Sequence, residues 1–139
     1  MNSTLKNTYH PSDTESYMNP DQLAYFRKKL LDWRNQLLEE SQKTIANLKE
    51  SQSSESESVA RGTLESTTGI ELRTRDRYRK LIKKIDQSLA KIEAGTYGYC
   101  EETGEEIGLK RLEARPVATL CIEAQERHER IERQSKTTW

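Results

Sequence analysis

Apolar residues along this chain recur at alternating steps of three and four, the rhythm of a helix with one buried face. Asn19-Pro20-Asp21-Gln22 supplies a start: Asn19 can cap, Pro20 suits the first helical position and Gln22 can reach back as in a capping box. Leu23, Phe26, Leu30, Trp33 and Leu37 follow at 3,4,3,4 spacing. Ser41, Ile45 and Leu48 extend the face with a 4,4,3 shift, a stutter that locally unwinds a supercoil. Leu23 to Leu48 predicts a rod roughly 40 Å long. Residues 51–58, SQSSESES, carry no apolar anchor and predict a turn or flexible tip. A second helical pattern runs from near Thr63 to Glu93, with its clearest seam at Tyr78, Ile82, Ile85, Leu89 and Ile92, and Ala94-Gly95 is its stop.

Two amphipathic helices of similar length around a short polar tip predict an antiparallel coiled coil. Its stripes are read as core packing, with Phe26 and Trp33 as seam anchors. Glu71 and Arg75 fall where apolar residues are expected, so the tip end is expected to be the less stable one. After Gly95 the periodicity ends. Tyr97, Tyr99 and Ile107 around Thr103-Gly104 suggest a short hairpin or knuckle, Pro116 breaks the chain, and a charged helix follows over Leu120 to Gln134. The expected fold is mainly α: a long antiparallel coiled-coil hairpin, a small zinc-ribbon-like globular domain and a C-terminal helix. The expected divisions are 1–18, a polar and poorly ordered segment packing on or near the globular part; 19–94, the hairpin, with its tip near 51–63; 95–120, the knuckle region; and 121–139, the last helix.

Composition agrees with that economy of core. Of 139 residues, 32% are hydrophobic and 33% charged, which suits long solvated helices packed along a narrow seam. The net charge is zero, so electrostatic work must come from local patches. No apolar run approaches the ~20 residues of a membrane span, and Met1 to Tyr9 lacks an apolar signal core, so a cytoplasmic protein is expected. No nucleophile motif, phosphate-cradling glycine loop or acid/base pair of convincing spacing is present, so an enzyme is not expected.

One patch stands out. Arg73, Arg75, Arg77, Arg79, Lys80, Lys83 and Lys84 lie within twelve residues, with Asp76 the only acid among them. Such a stretch either binds phosphate, on nucleic acid or on a nucleotide, or is a solvated face paired with acids of the first helix such as Glu39, Glu40 and Glu50. Composition alone favours the solvated face. Aromatic interleaving for single-strand stacking is limited to Tyr78. Lys80 and Lys84 are one turn apart on one face. If Lys110-Arg-Leu-Glu-Ala-Arg-Pro116 packs against the base of the second helix, Arg115 could join them in a pocket for an anion.

A second constellation is Cys100-Glu-Glu-Thr103 with Cys121-Ile-Glu-Ala124. It has the spacing of two C-x-x-C knuckles with the second ligand of each missing. Structural zinc takes four sulfur or nitrogen ligands, and Thr103 and Ala124 supply none. His128 is a candidate third ligand, with Glu101, Glu102 or Glu123 as a fourth, though nothing fixes these groups in the knuckle geometry. A Cys100–Cys121 disulfide is conceivable, since both face one centre; in a reducing cytosol it would be minor or redox-sensing.

The runs Ile70-Glu-Leu-Arg-Thr-Arg-Asp-Arg77, Arg79-Lys-Leu-Ile-Lys-Lys-Ile85 and Tyr97-Gly-Tyr-Cys-Glu101, then Ile107-Gly-Leu-Lys-Arg-Leu-Glu-Ala-Arg-Pro-Val-Ala-Thr-Leu-Cys121, resemble the DksA family, as do Tyr17-Met-Asn19, Gln22-Leu-Ala24 and Trp33-Arg-Asn-Gln-Leu37. The resemblance runs from about residue 17 to about residue 130, and Arg-Leu-Glu-Ala-Arg-Pro is its most distinctive string. It implies a monomeric bacterial regulator that binds RNA polymerase and not DNA directly. The coiled coil enters the secondary channel and the tip approaches the active centre. Initiation falls at stable-RNA promoters and rises at some biosynthetic ones. Guanosine tetraphosphate, ppGpp, strengthens this by binding between factor and polymerase. Family positions for that nucleotide match Lys80, Leu81, Lys84 and Arg115; a further basic position is Gln125 here, which implies a weaker response. At the tip, Glu57 keeps an acid and Arg61 a base, while Ala60 stands where an aspartate is expected and Gly62 replaces an alanine. A register shift would let Glu55 or Glu57 substitute for that aspartate. Family members lacking these cysteines fold without metal, so a zinc-independent knuckle is expected, with Thr103 and Ala124 filling the space. A divergent paralogue competing for the channel with weak tip activity is the alternative within the family. A coiled-coil adaptor or nucleic-acid binder is the alternative outside it.

Overall fold

Asn19 caps the first helix as its sequence predicts. In this computed structural model, residues 9–54 and 58–137 are described, with all their side chains except those of Leu48, 51–54, 58–67 and Thr137. The helices are α1, Pro20–Ser54; α2, Ser58–Ala94; α3, Leu109–Ala114; and α4, Ile122–Thr137. Asn19 Oδ1 accepts from the Gln22 amide at 2.9 Å, and the wholly buried Gln22 returns its Oε1 to the Met18 amide at 2.8 Å. This is a capping box whose return bond lands one residue early.

Helix enters the polar run from both sides. α1 continues through Ser54 and α2 begins at Ser58, so helix occupies most of the stretch expected to be loop. SQSSESES contains no Gly or Pro, and extending a nucleated helix adds one hydrogen bond per residue fixed, with or without an apolar face. Glu57 lies outside the described residues. Ala60, Arg61 and Gly62 lie in α2, and their side chains are outside the description. α3 interrupts the knuckle region where no helix was expected.

The chain forms two compact units, Met1–Leu30 with Ser88–Trp139, and Leu31–Gln87. In the first, Phe26, Leu30, Tyr97, Leu112 and Ala124 are buried, and the Phe26 and Tyr97 rings lie 5.8 Å apart. Among the described residues there is no strand; the knuckle has one antiparallel bridge, Tyr99 to Glu106. Residues 9–18, expected to be loose, are tied down. Tyr9 donates to Glu15 at 3.0 Å and meets the Tyr25 ring edge-on. The Tyr17 hydroxyl donates to the Gly98 carbonyl at 2.6 Å and accepts from the Gly108 amide at 3.0 Å. Gly98 has φ 92°, and a Cβ there would lie 2.9 Å from Met18 Cγ, so both backbone conformation and space demand glycine.

In the second unit, α1 and α2 run antiparallel: Arg34 bonds Asp86 at 2.7 Å, and Tyr78 bonds Glu40 further along. Leu37 and Ile85 are buried, and Trp33, Tyr78, Leu81 and Ile82 are half-buried. The seam differs from expectation at one position. Thr74 is half-buried, while Arg75 is exposed. The Thr74 hydroxyl donates to the Ile70 carbonyl at 3.0 Å, which satisfies it beside the seam. Burial declines toward the tip, where Ile70 and Leu72 are 54% and 49% exposed.

Gly69 sits inside α2 with nothing within 4 Å of a built Cβ. Gly69→Ala should therefore stabilise by about 1 kcal/mol, the helix-interior difference between the two residues. Gly98→Ala should destabilise by about 2 kcal/mol. Thermal melts followed by circular dichroism check both; equal shifts in the same direction would contradict the assignment.

Candidate functional site

The Cys100 sulfur gathers donors from two stretches of chain. The turn after it closes with the Gly104 amide on the Cys100 carbonyl at 2.9 Å, and the Cys100 amide bonds the Glu105 carbonyl at 2.7 Å. That turn aims the amides of Glu102 and Thr103 at the sulfur. The amide of Cys121, at the start of α4, supplies a third backbone donor and the Thr103 hydroxyl a fourth. Burial pushes the Cys100 thiol up, but these donors together outweigh it and bring it down to about 6. Thr103 Oγ1 also stands 3.8 Å from Cys121 Sγ, so one hydroxyl serves both sulfurs. Both cysteines are buried and unbridged.

This donor set does not fit a structural zinc. Two thiols are present, Thr103 offers a hydroxyl and Ala124 a wholly buried methyl. His128 does not complete the set: its Nε2 contacts the Glu102 carboxylate, and both are partly exposed. Among the described residues, no three His, Cys, Asp or Glu side chains are grouped to hold a metal.

The string Lys110 to Pro116 is organised residue by residue. Leu112 is wholly buried. Arg111 Nε donates to the Leu120 carbonyl at 3.0 Å. Glu113 accepts from Lys29 Nζ at 2.8 Å and from the Tyr25 hydroxyl at 2.5 Å. Burial raises the Glu113 carboxyl, and the bonds from Lys29 and Tyr25 more than reverse this, holding it below the usual range. The Tyr97 hydroxyl donates to the Pro116 carbonyl at 2.7 Å. Arg115, which caps α3 through its amide on the Arg111 carbonyl at 2.8 Å, stays exposed. Gln125, on α4, reaches Glu129 at 3.3 Å.

Lys80, Leu81 and Lys84 belong to the other unit, on α2. Lys80 and Lys84 are exposed and one turn apart, and Leu81 is half-buried. Asp76 holds Lys80 at 3.0 Å and Arg79 at 2.8 Å. Glu40 is taken by the Tyr78 hydroxyl. Sequence reasoning missed the grip of Asp76, the sulfur-directed amides and the two-way bond of Tyr17. Only the first was signalled, by an acid three and four residues ahead of two bases.

Residues 22–92 match the family described as DnaK suppressor protein DksA, N-terminal domain, and residues 95–130 match the prokaryotic dksA/traR C4-type zinc finger. The RNA polymerase-binding transcription factor DksA of Caulobacter vibrioides is 55% identical over 128 residues, which is 92% of this chain and 90% of that protein. Its namesake in Escherichia coli is 48% identical over 115 residues, 83% of this chain and 76% of that protein. The solved structure of transcription factor DksA2 from Pseudomonas aeruginosa superposes with a TM-score of 0.81 at 40% identity, covering 89% of this chain and 94% of that one. Against a four-cysteine finger, this chain has two cysteines in all.

Two outcomes follow from this geometry. Thr103→Cys with Ala124→Cys should bind about one zinc per protein, whereas the wild type should carry substoichiometric metal after equilibration with zinc and desalting; equal loading of the two would contradict the misfit. The Cys100 thiolate should persist at neutral pH and vanish as pH falls through about 6. Because its folded value is depressed, its stabilising contribution is present above the ordinary thiol range and is lost on acidification through that midpoint. Thiolate ultraviolet absorbance in the wild type and in Cys121→Ser reads this directly, and Thr103→Val should raise the midpoint. A wild-type midpoint near ~8.5, the ordinary thiol value, would contradict the donor assignment.

Proposed function

Because this chain belongs to the DksA family, we propose that it is a transcription regulator that acts by binding RNA polymerase. The observation that carries the reading is the extent of the likeness. It spans 92% of the chain against a protein named for binding the polymerase, and it includes both matched family segments. The antiparallel helices of the Leu31–Gln87 unit, with their charged outer faces, support a role as an inserted element of the kind the family resemblance implies. On this reading the protein works as a monomer in the cytoplasm through the secondary channel. It requires no zinc, catalyses no reaction of its own and does not read DNA sequence.

The basic residues support the nucleotide part of the proposal. Lys80 and Lys84 offer exposed ammonium groups one turn apart, with Leu81 half-buried beside them. Arg115 is left free of the bonds that engage Arg111 and Glu113 on the same string. These residues would contribute to the ppGpp response, and Gln125 would weaken it by one missing charge. At the tip, Ala60 replaces a carboxylate that could bond backbone amides or basic side chains near the polymerase active centre, while Glu57, Arg61 and Gly62 make up the rest of the turn sequence.

Transcription in vitro from a stable-RNA promoter, with and without ppGpp, tests the proposal. The protein should co-purify with RNA polymerase and lower initiation, and ppGpp should deepen the effect. Ala60→Asp should increase inhibition at saturating protein. Gln125→Lys should lower the half-saturating ppGpp concentration by about threefold to tenfold, the effect of one added phosphate-facing charge. Failure to bind the polymerase, together with DNA binding that weakens steeply with salt, would replace this reading with direct nucleic-acid binding.

A further inference from the structure

We propose that Asp76 is a built-in competitor for the Lys80 face, setting how strongly that face takes a phosphorylated anion. The inference rests on the nucleotide reading of Lys80 and adds a residue that the family resemblance did not supply.

Asp76 is the single acid within a twelve-residue stretch holding seven bases. Both of its carboxylate oxygens are engaged: Oδ1 with Arg79 Nη2 at 2.8 Å and Oδ2 with Lys80 Nζ at 3.0 Å. An acid one turn N-terminal to a lysine is the better orientation of such a pair on a helix. The Asp76 carboxyl is accordingly held below the usual range, by its bond to Lys80 first. Around it, Leu72, Arg73, Asp76, Arg77 and Lys80 line an open groove of about 490 Å³, in which every other charged group is a cation. Lys84 lies one turn further on, exposed, and has no ion-pair partner among the described residues.

A phosphate arriving at this face meets two obstacles at Asp76. It must take Lys80 from a carboxylate already at bonding distance, and it must remain beside that like charge afterwards. The groove would otherwise be uniformly cationic, so one carboxylate sets its threshold. An exposed pair of this kind is weak enough to be exchanged and strong enough to register. The competition selects for ligands carrying several phosphate charges. A singly charged anion gains little from Lys80 beyond what Asp76 already supplies, while a polyphosphate reaches Lys84 and the groove arginines as well.

Wild type, Asp76→Asn, Lys80→Ala and the double variant are compared at saturating protein in transcription with RNA polymerase, titrating ppGpp. Asp76 is on the surface, and asparagine keeps its size; circular dichroism verifies the helix content of each variant. Asp76→Asn should lower the half-maximal ppGpp concentration by about threefold to tenfold, the effect of removing one like charge near a surface site. Lys80→Ala should raise it. Adding Asp76→Asn to Lys80→Ala should recover less than Asp76→Asn gains in the wild type, because the competition for Lys80 is gone and only the like-charge repulsion remains. An unchanged or raised half-maximal concentration in Asp76→Asn overturns the inference. So does an equal gain in the Lys80→Ala background, which would make Asp76 a bulk charge only. A wild type that binds the polymerase but ignores ppGpp overturns the nucleotide reading and this inference with it. A wild type that responds, loses response in Lys80→Ala and is indifferent to Asp76→Asn overturns this inference alone.

Discussion

The knuckle depends on one sulfur. Cys100 accepts from the amides of Glu102 and Thr103 in its own turn and from the amide of Cys121 at the start of α4. Two stretches separated by more than a helix and a proline are thereby fastened at a single atom. A metal in a four-cysteine finger performs the same cross-linking with covalent strength. Here hydrogen bonds directed at the Cys100 sulfur from both stretches take that part. Thr103 reinforces the arrangement, its hydroxyl directed at Cys100 and standing 3.8 Å from Cys121 Sγ, and Ala124 closes the remaining space with a methyl. The turn after Cys100 and the start of α4 supply the amides that face this sulfur.

Bonds from outside the knuckle share the load. Tyr17 bridges Gly98 and Gly108, the two ends of the loop that carries Cys100, and Tyr97 pins Pro116. Around the string from Lys110 to Pro116 the side chains divide their tasks. Leu112 enters the core, Arg111 holds a carbonyl, and Glu113 anchors to α1 through Lys29 and Tyr25. Arg115 stays exposed. Such a string is recognisable because nearly every position in it is committed to a different contact.

The two long helices were legible because the residues that set the period are the ones that bury: Phe26, Leu30, Leu37 and Ile85. The pairing of Lys80 with Lys84 was equally legible, since helical spacing alone fixes it. The seam was misread between Arg75 and Thr74 because steps of three and four satisfy the same pattern, and polarity gave no reason to choose a threonine with its hydroxyl turned onto its own helix. The extent of the helices past Leu48 was hidden because no breaker marks their ends. α3 is six residues long, too short for a period to register. Gln22 is polar and wholly buried, so composition pointed outward while its capping bonds pull it inward. The donors around Cys100 are mostly backbone amides, which leave no signature in side-chain identity; only the spacing of the knuckle hinted at them.

The decline in burial along the Leu31–Gln87 unit has a mechanical consequence. Toward the tip the seam trades Ile85 and Leu81 for Tyr78, Thr74 and Glu71, and Gly69 leaves a gap beside the helix. Separating or rotating the helices there exposes little apolar surface to water, so it carries a small free-energy penalty. The same movement at Ile85 would uncover a closed core. The turns from Gly69 to Tyr78 can therefore be displaced at modest expense, while those around Ile85 resist the same displacement.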